Sequence, residues 1–328
     1  MVTKKKKIQS KASLDSFTAE IMRSYLVSTV EEMVETTVRS AYSTCLSEGR
    51  DFTCALFDAD SRMIAQAYGI PVHSGALFDP MKTLTSTYDK FEPGDVIVFN
   101  DPYNGGSHQA DVVVASPMFL QKRLIGFAVN RGHWVDVGGM APGGWSGTAR
   151  HVIQEALIIP PAKLYKAGNL DREIRDFILK NVRLPKQCWG DIQAQIASNI
   201  VAERRVSALI HKYGIKMVQE GMEEALNYSR KRFHNMLEAL PDGAWEGTDY
   251  QEDDGHGGGP HKIHVKLTKS GKKVTLDFTG SSPQVRGPVN CTFTETKAGC
   301  YTALMNVVDP WVPLNSGSIE GIKVIAIV

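Results

Sequence analysis

Two glycine-rich segments between residues 100 and 139 carry the side chains best suited to chemistry. The first, NDPYNGGSHQAD, contains His108 and Asp111, and the second, RGHWVDVGG, contains His133. The apolar runs between them, VVVASPMF and RLIGFAVN, predict two strands joined by a short turn. Because glycine lets a backbone approach a ligand closely, loops of this composition are typical of binding sites.

The spacing of these residues is compatible with a metal site. His108 and Asp111 are three residues apart, which places both on one side of a turn or of a first helical turn. A hairpin returns His133 to the same end of the strand pair. Glu48 and Asp51 precede an earlier predicted strand, FTCALFD, and either would add a carboxylate. Two imidazoles with one or two carboxylates suit Mn, Fe or Zn, although capped structural loops explain the spacing equally well.

Three further polar residues border the same loops. Asn100 ends a strand, where it would orient a substrate, support a metal ligand or simply cap the strand. Asp136 follows His133 by three residues and, like Asp51, is a candidate base. Arg131 is a candidate for holding an anionic group. The candidate catalytic residues are therefore Asp51, Asn100, Arg131 and Asp136.

Other chemistries find less support in the sequence. The segment EDDGHGGGPHKIH resembles a metal motif, but His261 and His264 lie at odd spacing on a predicted strand and so point to opposite faces, which favours a solvated hairpin loop. No GxSxG nucleophile motif occurs. Neither GxxxxGK[ST] nor GxGxxG opens a helix, so any ATP would have to be bound by another polypeptide.

The predicted elements form an α+β fold. A mixed region with antiparallel strands and glycine-rich loops is followed by long central helices and a β-rich C-terminal region. The predicted divisions are a basic disordered tail (1–13), a metal-site domain (14–170), a helical segment (171–240) and a β-rich segment (241–328). The predicted helices are 14–46, 73–90, 171–181, 189–238 with an interruption near Gly214, and 295–307. Residues 137–168 are expected to form an extended loop.

The last residues, IKVIAIV, predict an apolar strand. An exposed edge strand of this composition invites aggregation. We therefore expect a partner chain, a second copy or a further C-terminal segment to cover it.

Composition narrows the function classes. A net charge of +1 with mixed signs argues against nucleic acid as the main partner. No apolar run reaches the length of a membrane span, and the basic start MVTKKKKIQSK lacks the apolar stretch of a secretory signal. Five cysteines without a CxxC pair argue against a disulfide framework and a cysteine-based zinc site, so we predict a cytoplasmic protein.

The motifs together resemble the hydantoinase B/oxoprolinase family. That family includes B-type subunits of ATP-dependent hydantoinases, the C-terminal part of 5-oxoprolinases, and subunits of acetone and acetophenone carboxylases. Its members are usually longer, and this sequence lacks the C-terminal part of the pattern. The resemblance rests on five segments in family order, which are SEGRDFTCALFD, GDVIVFNDPYNGGSHQADVVVASPMF, NRGHWVDVGGMAPG, QEALIIPPAKL and GDIQAQIASN.

The resemblance implies a catalytic subunit that opens cyclic amides. An A-type partner would bind ATP and phosphorylate the amide oxygen of a hydantoin, oxoproline or lactam, and this chain would direct water at the activated carbon. It also implies a divalent metal (Mn, Zn or Fe) held by Glu48 or Asp51, then His108, Asp111 and His133. The chain is then expected to act in a hetero-oligomer and to be inactive alone. The alternatives are a ketone carboxylase subunit and a non-catalytic scaffold that binds an A-type subunit.

Overall fold

The computed structural model describes residues 14–326, so the predicted basic tail (1–13) lies outside the described residues. The larger of two sheets has seven antiparallel strands in the order β2-β1-β5-β4-β3-β6-β7. These strands are β1 (Phe52–Asp58), β2 (Met63–Tyr68), β3 (Val96–Phe99), β4 (Asp111–Leu120), β5 (Arg123–His133), β6 (Ala162–Lys166) and β7 (Asn169–Leu170). The mainly antiparallel strand pairing and the separate long helices confirm the predicted α+β class.

The smaller sheet has the strand order β11-β10-β9-β8, and its β10–β11 pair is parallel. Its strands are β8 (Gly243–Gln251), β9 (His261–Ser270), β10 (Lys273–Asp277) and β11 (Ile322–Ile325). Within residues 14–326, β11 pairs with β10 on one side only. The expectation that another segment or chain covers its free edge stays a prediction.

Eight α-helices surround the sheets within the described residues. They are α1 (Ser16–Ser40), α2 (Thr44–Ser47), α3 (Phe78–Thr87), α4 (Val152–Glu155), α5 (Arg172–Lys180), α6 (Pro185–Tyr213), α7 (Ile215–Ala239) and α8 (Phe293–Val308). Short 3-10 turns occur at Pro71–His73 and Pro142–Gly144. Along this part of the chain, no helix is both long enough and apolar enough to cross a membrane.

Helices cover both faces of the larger sheet. On one face, α1, α6 and α7 pack their apolar residues, such as Met22, Val206 and Met222, against β1 and β2. On the other face, α3 and α8 contribute Leu84 and Tyr301 to a core that includes alternate residues of β4 and β5. Because side chains of a strand alternate between faces, β1, β2, β4 and β5 supply residues to both cores.

The first predicted helix ends earlier than its apolar periodicity indicated. Asp15 caps α1, accepting a hydrogen bond from the Thr18 N–H. At Ala41 the backbone becomes extended, and the next two N–H groups donate to the carboxylate of Asp191 on α6. This tertiary interaction, which local sequence does not reveal, separates α1 from α2. The predicted interruption at Gly214, with φ of 82°, is confirmed.

The segment GDIQAQIASN lies on α6 and braces the sheet. Gln195 donates to the Asn130 side chain at 2.9 Å and to the Val112 carbonyl at 3.1 Å, and it accepts from the Trp134 indole at 2.8 Å. Asn130 in turn donates to the side chains of Ser198 and Asn199 on the same helix. The network is buried, so each polar group depends on its partner.

We predict that Gln195→Leu lowers the free energy of unfolding by about 3 kcal/mol, because it leaves the Trp134 N–H and the Asn130 carbonyl unpaired in the core. Urea denaturation followed by circular dichroism measures the change. Gln187→Leu is the matched control, since Gln187 is exposed on the same helix. Equal stability of the two variants would contradict the bracing role.

Candidate metal centre

Three neighbouring strands place Asp51, His133 and Asp111 side by side at one end of the larger sheet. His133 is the register partner of Asp111 in the β4–β5 ladder. Its backbone N–H donates to the Asp51 carbonyl at 2.9 Å, at the start of β1. Cross-strand neighbours on one face are within contact range. Arg131, two residues earlier on β5, lies on the same face.

The glycine-rich loop before β4 adds His108 to this edge. Gly105 adopts φ of 87°, a conformation that favours glycine, where the loop turns back toward β4. His108 Nδ1 lies 3.3 Å from Asp111 Oδ2, and His133 Nδ1 lies 3.2 Å from Asp111 Oδ1. Candidate ligand atoms of His108, Asp111 and His133 all lie within 4.8 Å of one another. The two glycine-rich segments therefore converge as the sequence predicted.

Asp111 is a buried anion. Its burial favours the neutral form, but the nearby Arg131 guanidinium and the His108 and His133 imidazoles outweigh this and hold its pKa well below the usual range. Ser107 also donates to Asp111 Oδ2 at 2.7 Å. A carboxylate that stays charged in a buried position is suited to hold a cation.

The donor set fits a divalent metal. Two imidazoles and a carboxylate match the protein ligands of catalytic zinc sites, and they also suit Mn and Fe. His108 Nε2 is buried and has no hydrogen-bond partner among the described residues. A buried nitrogen without a partner is costly, and a bound cation or its water would satisfy it.

Trp145 forms an outer wall of this cluster. Its ring lies 6.2 Å from the His133 ring at an angle of 22°, and 5.5 Å from the His108 ring. The side chain is nevertheless 70% exposed. The indole thus lies at the approach to the cluster, with one face against the imidazoles and the rest of the side chain exposed to solvent.

Asp51, unlike Glu48, has a contact with a candidate ligand at this edge. Glu48 is the exposed C-cap of α2, and neither carboxylate belongs to the group of His108, Asp111 and His133. Asp51 Oδ2 lies 3.9 Å from His133 Nδ1. Burial works against ionisation of Asp51, but the hydrogen bond from His73 and the charge interactions with His73 and His133 together outweigh it and lower the pKa of Asp51.

Sequence reasoning missed two residues of the site. His73, expected at the start of a helix, lies in a 3-10 turn with its ring buried, and its Nε2 is 2.7 Å from Asp51 Oδ1. Glu295, in the first turn of α8, pairs with Arg131 at 2.9 Å. Neither belongs to a spacing motif, because each reaches the site only through tertiary packing.

The sequence profile of the Hydantoinase B/oxoprolinase family matches residues 15–327. The chain belongs to this family. It is 33% identical over 330 residues to the B-type subunit of a putative D-/L-hydantoinase from Pseudomonas sp. (strain NS671), an alignment covering 95% of this chain and 56% of that protein. It is 31% identical over 306 residues to the beta subunit of the caprolactamase from Pseudomonas jessenii, an alignment that covers 93% of this chain and 52% of that protein.

Two solved structures share the fold. The ATP-dependent caprolactamase from Pseudomonas jessenii matches with a TM-score of 0.91 at 30% identity, over 96% of this chain and 54% of that one. A nucleotide-free acetone carboxylase matches with a TM-score of 0.85 over 94% of this chain and 43% of that one. Because the two sequences are only 19% identical, this match shows a likeness of fold alone. The chain spans about half the length of the curated relatives it matches.

Two predicted catalytic residues of this Hydantoinase B/oxoprolinase chain have structural partners instead. Asn100 is fully buried, donates to the carbonyls of Gln109 and Leu157, and accepts from the Ile159 N–H. It therefore ties the glycine-rich loop to a neighbouring segment. Arg131 is 1% exposed, so its guanidinium contacts protein groups and is not open to a substrate anion.

Asp136 likewise does not reach the cluster. Its carboxylate accepts hydrogen bonds from the backbone N–H groups of Gly138, Gly143 and Arg183, and from the Arg183 side chain. These bonds outweigh burial and lower its pKa. Asp136 therefore holds the glycine-rich loop that leads to Trp145, and its four hydrogen bonds do not favour the predicted role as a base.

The second histidine cluster does not form a comparable site. His261 Nε2 is 3.9 Å from Asp254 Oδ2, whereas His264 pairs with the Thr248 hydroxyl at 3.2 Å. Within residues 14–326, the group of His, Cys, Asp or Glu side chains close enough to share a metal is His108, Asp111 and His133.

We predict that Asp136→Asn lowers the free energy of unfolding by about 2 kcal/mol at pH 7, because an amide cannot accept all four hydrogen bonds. The pKa of Asp136 is lower in the folded state than in the unfolded state. The charged carboxylate therefore stabilises the fold fully above the unfolded-state pKa, and this stabilisation is lost as the pH falls through the folded-state pKa. The difference in the free energy of unfolding between Asp136→Asn and wild type therefore becomes smaller below about pH 4.

Urea denaturation at several pH values measures this difference. Asp176→Asn is the control, since Asp176 is exposed and pairs with Arg175 on the surface. A difference for Asp136→Asn that stays constant down to pH 3 would show that the charge of Asp136 does not anchor the loop.

Proposed function

We propose that this chain is the catalytic subunit of an ATP-dependent cyclic amide hydrolase of the hydantoinase and oxoprolinase type. The observation that carries the proposal is the convergence of His108, Asp111 and His133 at one edge of the sheet. Two relatives, named as parts of a hydantoinase and of a caprolactamase, support the substrate class, a ring that contains an amide. The reaction is attack of water on that amide after its activation.

His108, Asp111 and His133 would hold a divalent metal, with Asp51 Oδ2 as a further oxygen ligand. Such a metal lowers the pKa of a bound water and polarises an oxygen of the substrate. Arg131 and Ser107 fix the Asp111 carboxylate, and the β4–β5 register fixes His133 opposite it. The protein therefore sets the ligand positions before any substrate arrives.

Trp145 is suited to contact the substrate ring. It is the exposed aromatic side chain that packs on both candidate histidine ligands. A flat apolar surface beside the cluster would orient a five- or seven-membered ring and exclude bulk water from one side. Asp136 supports this role indirectly, because its hydrogen bonds with the Gly138 and Gly143 N–H groups fix the loop that leads to Trp145.

Activation of the amide is assigned to an A-type partner. The sequence has no glycine-rich loop of the kind that cradles ATP phosphates. Phosphorylation of the amide oxygen by the partner would make the ring carbon more electrophilic. The activated ring would then pass directly to this chain, because release into water would lose it to side reactions. After water adds to the ring carbon, the ring C–N bond would break and the nitrogen would take up a proton, and hydrolysis of the resulting acyl phosphate would release the carboxylate and phosphate.

We predict that the protein, co-expressed with an A-type hydantoinase partner, opens hydantoin, 5-oxoproline or caprolactam only when ATP is present. His133→Ala lowers turnover and metal affinity by more than about 100-fold, because it removes a proposed ligand. Liquid chromatography of the ring-opened product and elemental analysis of the purified complex provide the two readouts. The chain without its partner is expected to be inactive.

The control is His211→Ala, since His211 is exposed on α6 and far along the chain from the cluster. Bicarbonate-dependent carboxylation of acetone, without ring opening of any amide, would favour the ketone carboxylase alternative. Full turnover by His133→Ala would favour a scaffold role, and turnover by the isolated chain would rule out the assigned partner.

We predict that Trp145→Ala raises KM for the ring substrate about 3- to 10-fold and changes kcat less, because ring contact mainly supports binding. Trp145→Phe retains most of the affinity. Trp311→Ala is the control, since Trp311 is also highly exposed. Steady-state kinetics on the co-expressed complex make the comparison, and an unchanged KM for Trp145→Ala would remove Trp145 from the substrate site.

A further inference from the structure

We infer that His73 is a positioning residue that orients the Asp51 carboxylate toward the metal centre. The motivation is a chain of buried and partly buried contacts that runs from α8 to the start of β1. Glu295 pairs with Arg131 at 2.9 Å, Arg131 lies 2.6 Å from His73 Nδ1, and His73 Nε2 lies 2.7 Å from Asp51 Oδ1.

The direction of each hydrogen bond in this chain follows from Arg131. A guanidinium has donors only, so the short contact with its Nη2 requires His73 Nδ1 to be the acceptor. The proton of the neutral imidazole therefore resides on Nε2. That N–H points at Asp51 Oδ1 and donates to it. Arg131 thus selects the tautomer of His73, and the tautomer determines what His73 offers to Asp51.

Arg131 is itself held in one orientation. Its side chain is 1% exposed, its Nη1 contacts Glu295, and its Nε lies 3.4 Å from Asp111 Oδ2. Rotation would separate a buried cation from two carboxylates, which is costly. The Nη2 group therefore stays directed at His73.

Two consequences follow for Asp51 and His73. Asp51 Oδ1 is occupied by His73, which leaves Oδ2 directed toward His133 at 3.9 Å. Both ring nitrogens of His73 have protein partners, so His73 is not itself a ligand, although it lies 3.9 Å from Asp111. His73 acts on the centre through Asp51, as outer partners of metal ligands commonly do.

This inference rests on the proposed metal centre, and Co²⁺ alone serves as the probe. His73→Leu removes both hydrogen bonds, whereas His73→Gln retains an acceptor for Arg131 and an N–H donor for Asp51. We expect His73→Leu to bind Co²⁺ about 10- to 100-fold more weakly than wild type and His73→Gln to remain within about 3-fold. Isothermal titration gives the affinities, and the visible spectrum of bound Co²⁺ reports a changed ligand field for His73→Leu alone.

His211→Leu is the matched control, and thermal unfolding of each variant checks folding. Equal weakening by His73→Gln and His73→Leu would overturn the inference, because it would indicate that the imidazole itself binds the metal. Wild-type affinity in His73→Leu would also overturn it.

Nitrogen NMR of ¹⁵N-histidine-labelled wild-type protein tests the tautomer even where His73→Leu fails to fold. A long-range ¹H–¹⁵N spectrum, with His73 assigned by its absence in His73→Gln, is expected to show the proton on Nε2. A proton on Nδ1, or on both nitrogens, would overturn the inference. Absence of Co²⁺ binding by wild type would refute the metal centre separately, while the tautomer would still decide the role of His73.

Discussion

The register between β5 and its two neighbours is the constraint on which the site depends. Asp111 and His133 are direct partners in the β4–β5 ladder, and the backbone bond from His133 to Asp51 aligns β1 with them. A slip of one residue in either pair would turn these side chains to the opposite face of the sheet. That face is occupied by α6, whose Gln195 bonds to β4 and β5 and resists such a slip.

Several charged side chains are buried at this edge of the larger sheet. Arg131 and Asp111 are almost fully buried, and Glu295 shields the far side of the guanidinium. Buried charges are stable only where each has its partners, and removal of one leaves another uncompensated. Because Glu295 belongs to α8, the C-terminal half of the chain completes the site that the two glycine-rich loops begin. The ligands are therefore organised by contacts from three separate parts of the sequence.

Much of this arrangement was predictable from local pattern. Alternating apolar residues on either side of a short turn identified the β4–β5 hairpin, and the hairpin alone brings His133 near Asp111. The choice between Glu48 and Asp51 was not predictable, because it depends on where α2 ends and β1 begins. His73 and Glu295 lie far from the glycine-rich loops in sequence, so spacing gave no signal for them.

Two residues predicted to be catalytic have hydrogen bonds that hold loops, and both do so for the same physical reason. Asn100 and Asp136 are polar residues beside a cluster of candidate ligands, which is also where loops need buried hydrogen-bond acceptors and donors. Their partners are backbone groups of Leu157, Ile159 and Arg183, on segments whose placement no local pattern reveals. Residue type and spacing thus identify candidate metal ligands. They do not reveal which neighbouring polar residues form the hydrogen bonds that hold the surrounding loops.

Anomalous X-ray diffraction from crystals of the protein grown with Mn²⁺ tests the central claim most directly. The account predicts one strong anomalous peak between the side chains of His108, Asp111 and His133, with Asp51 Oδ2 turned toward it. Ligand distances are expected at roughly 2.0–2.3 Å. Absence of a peak at this position, or a peak beside Asp254 and His261 instead, would contradict the account.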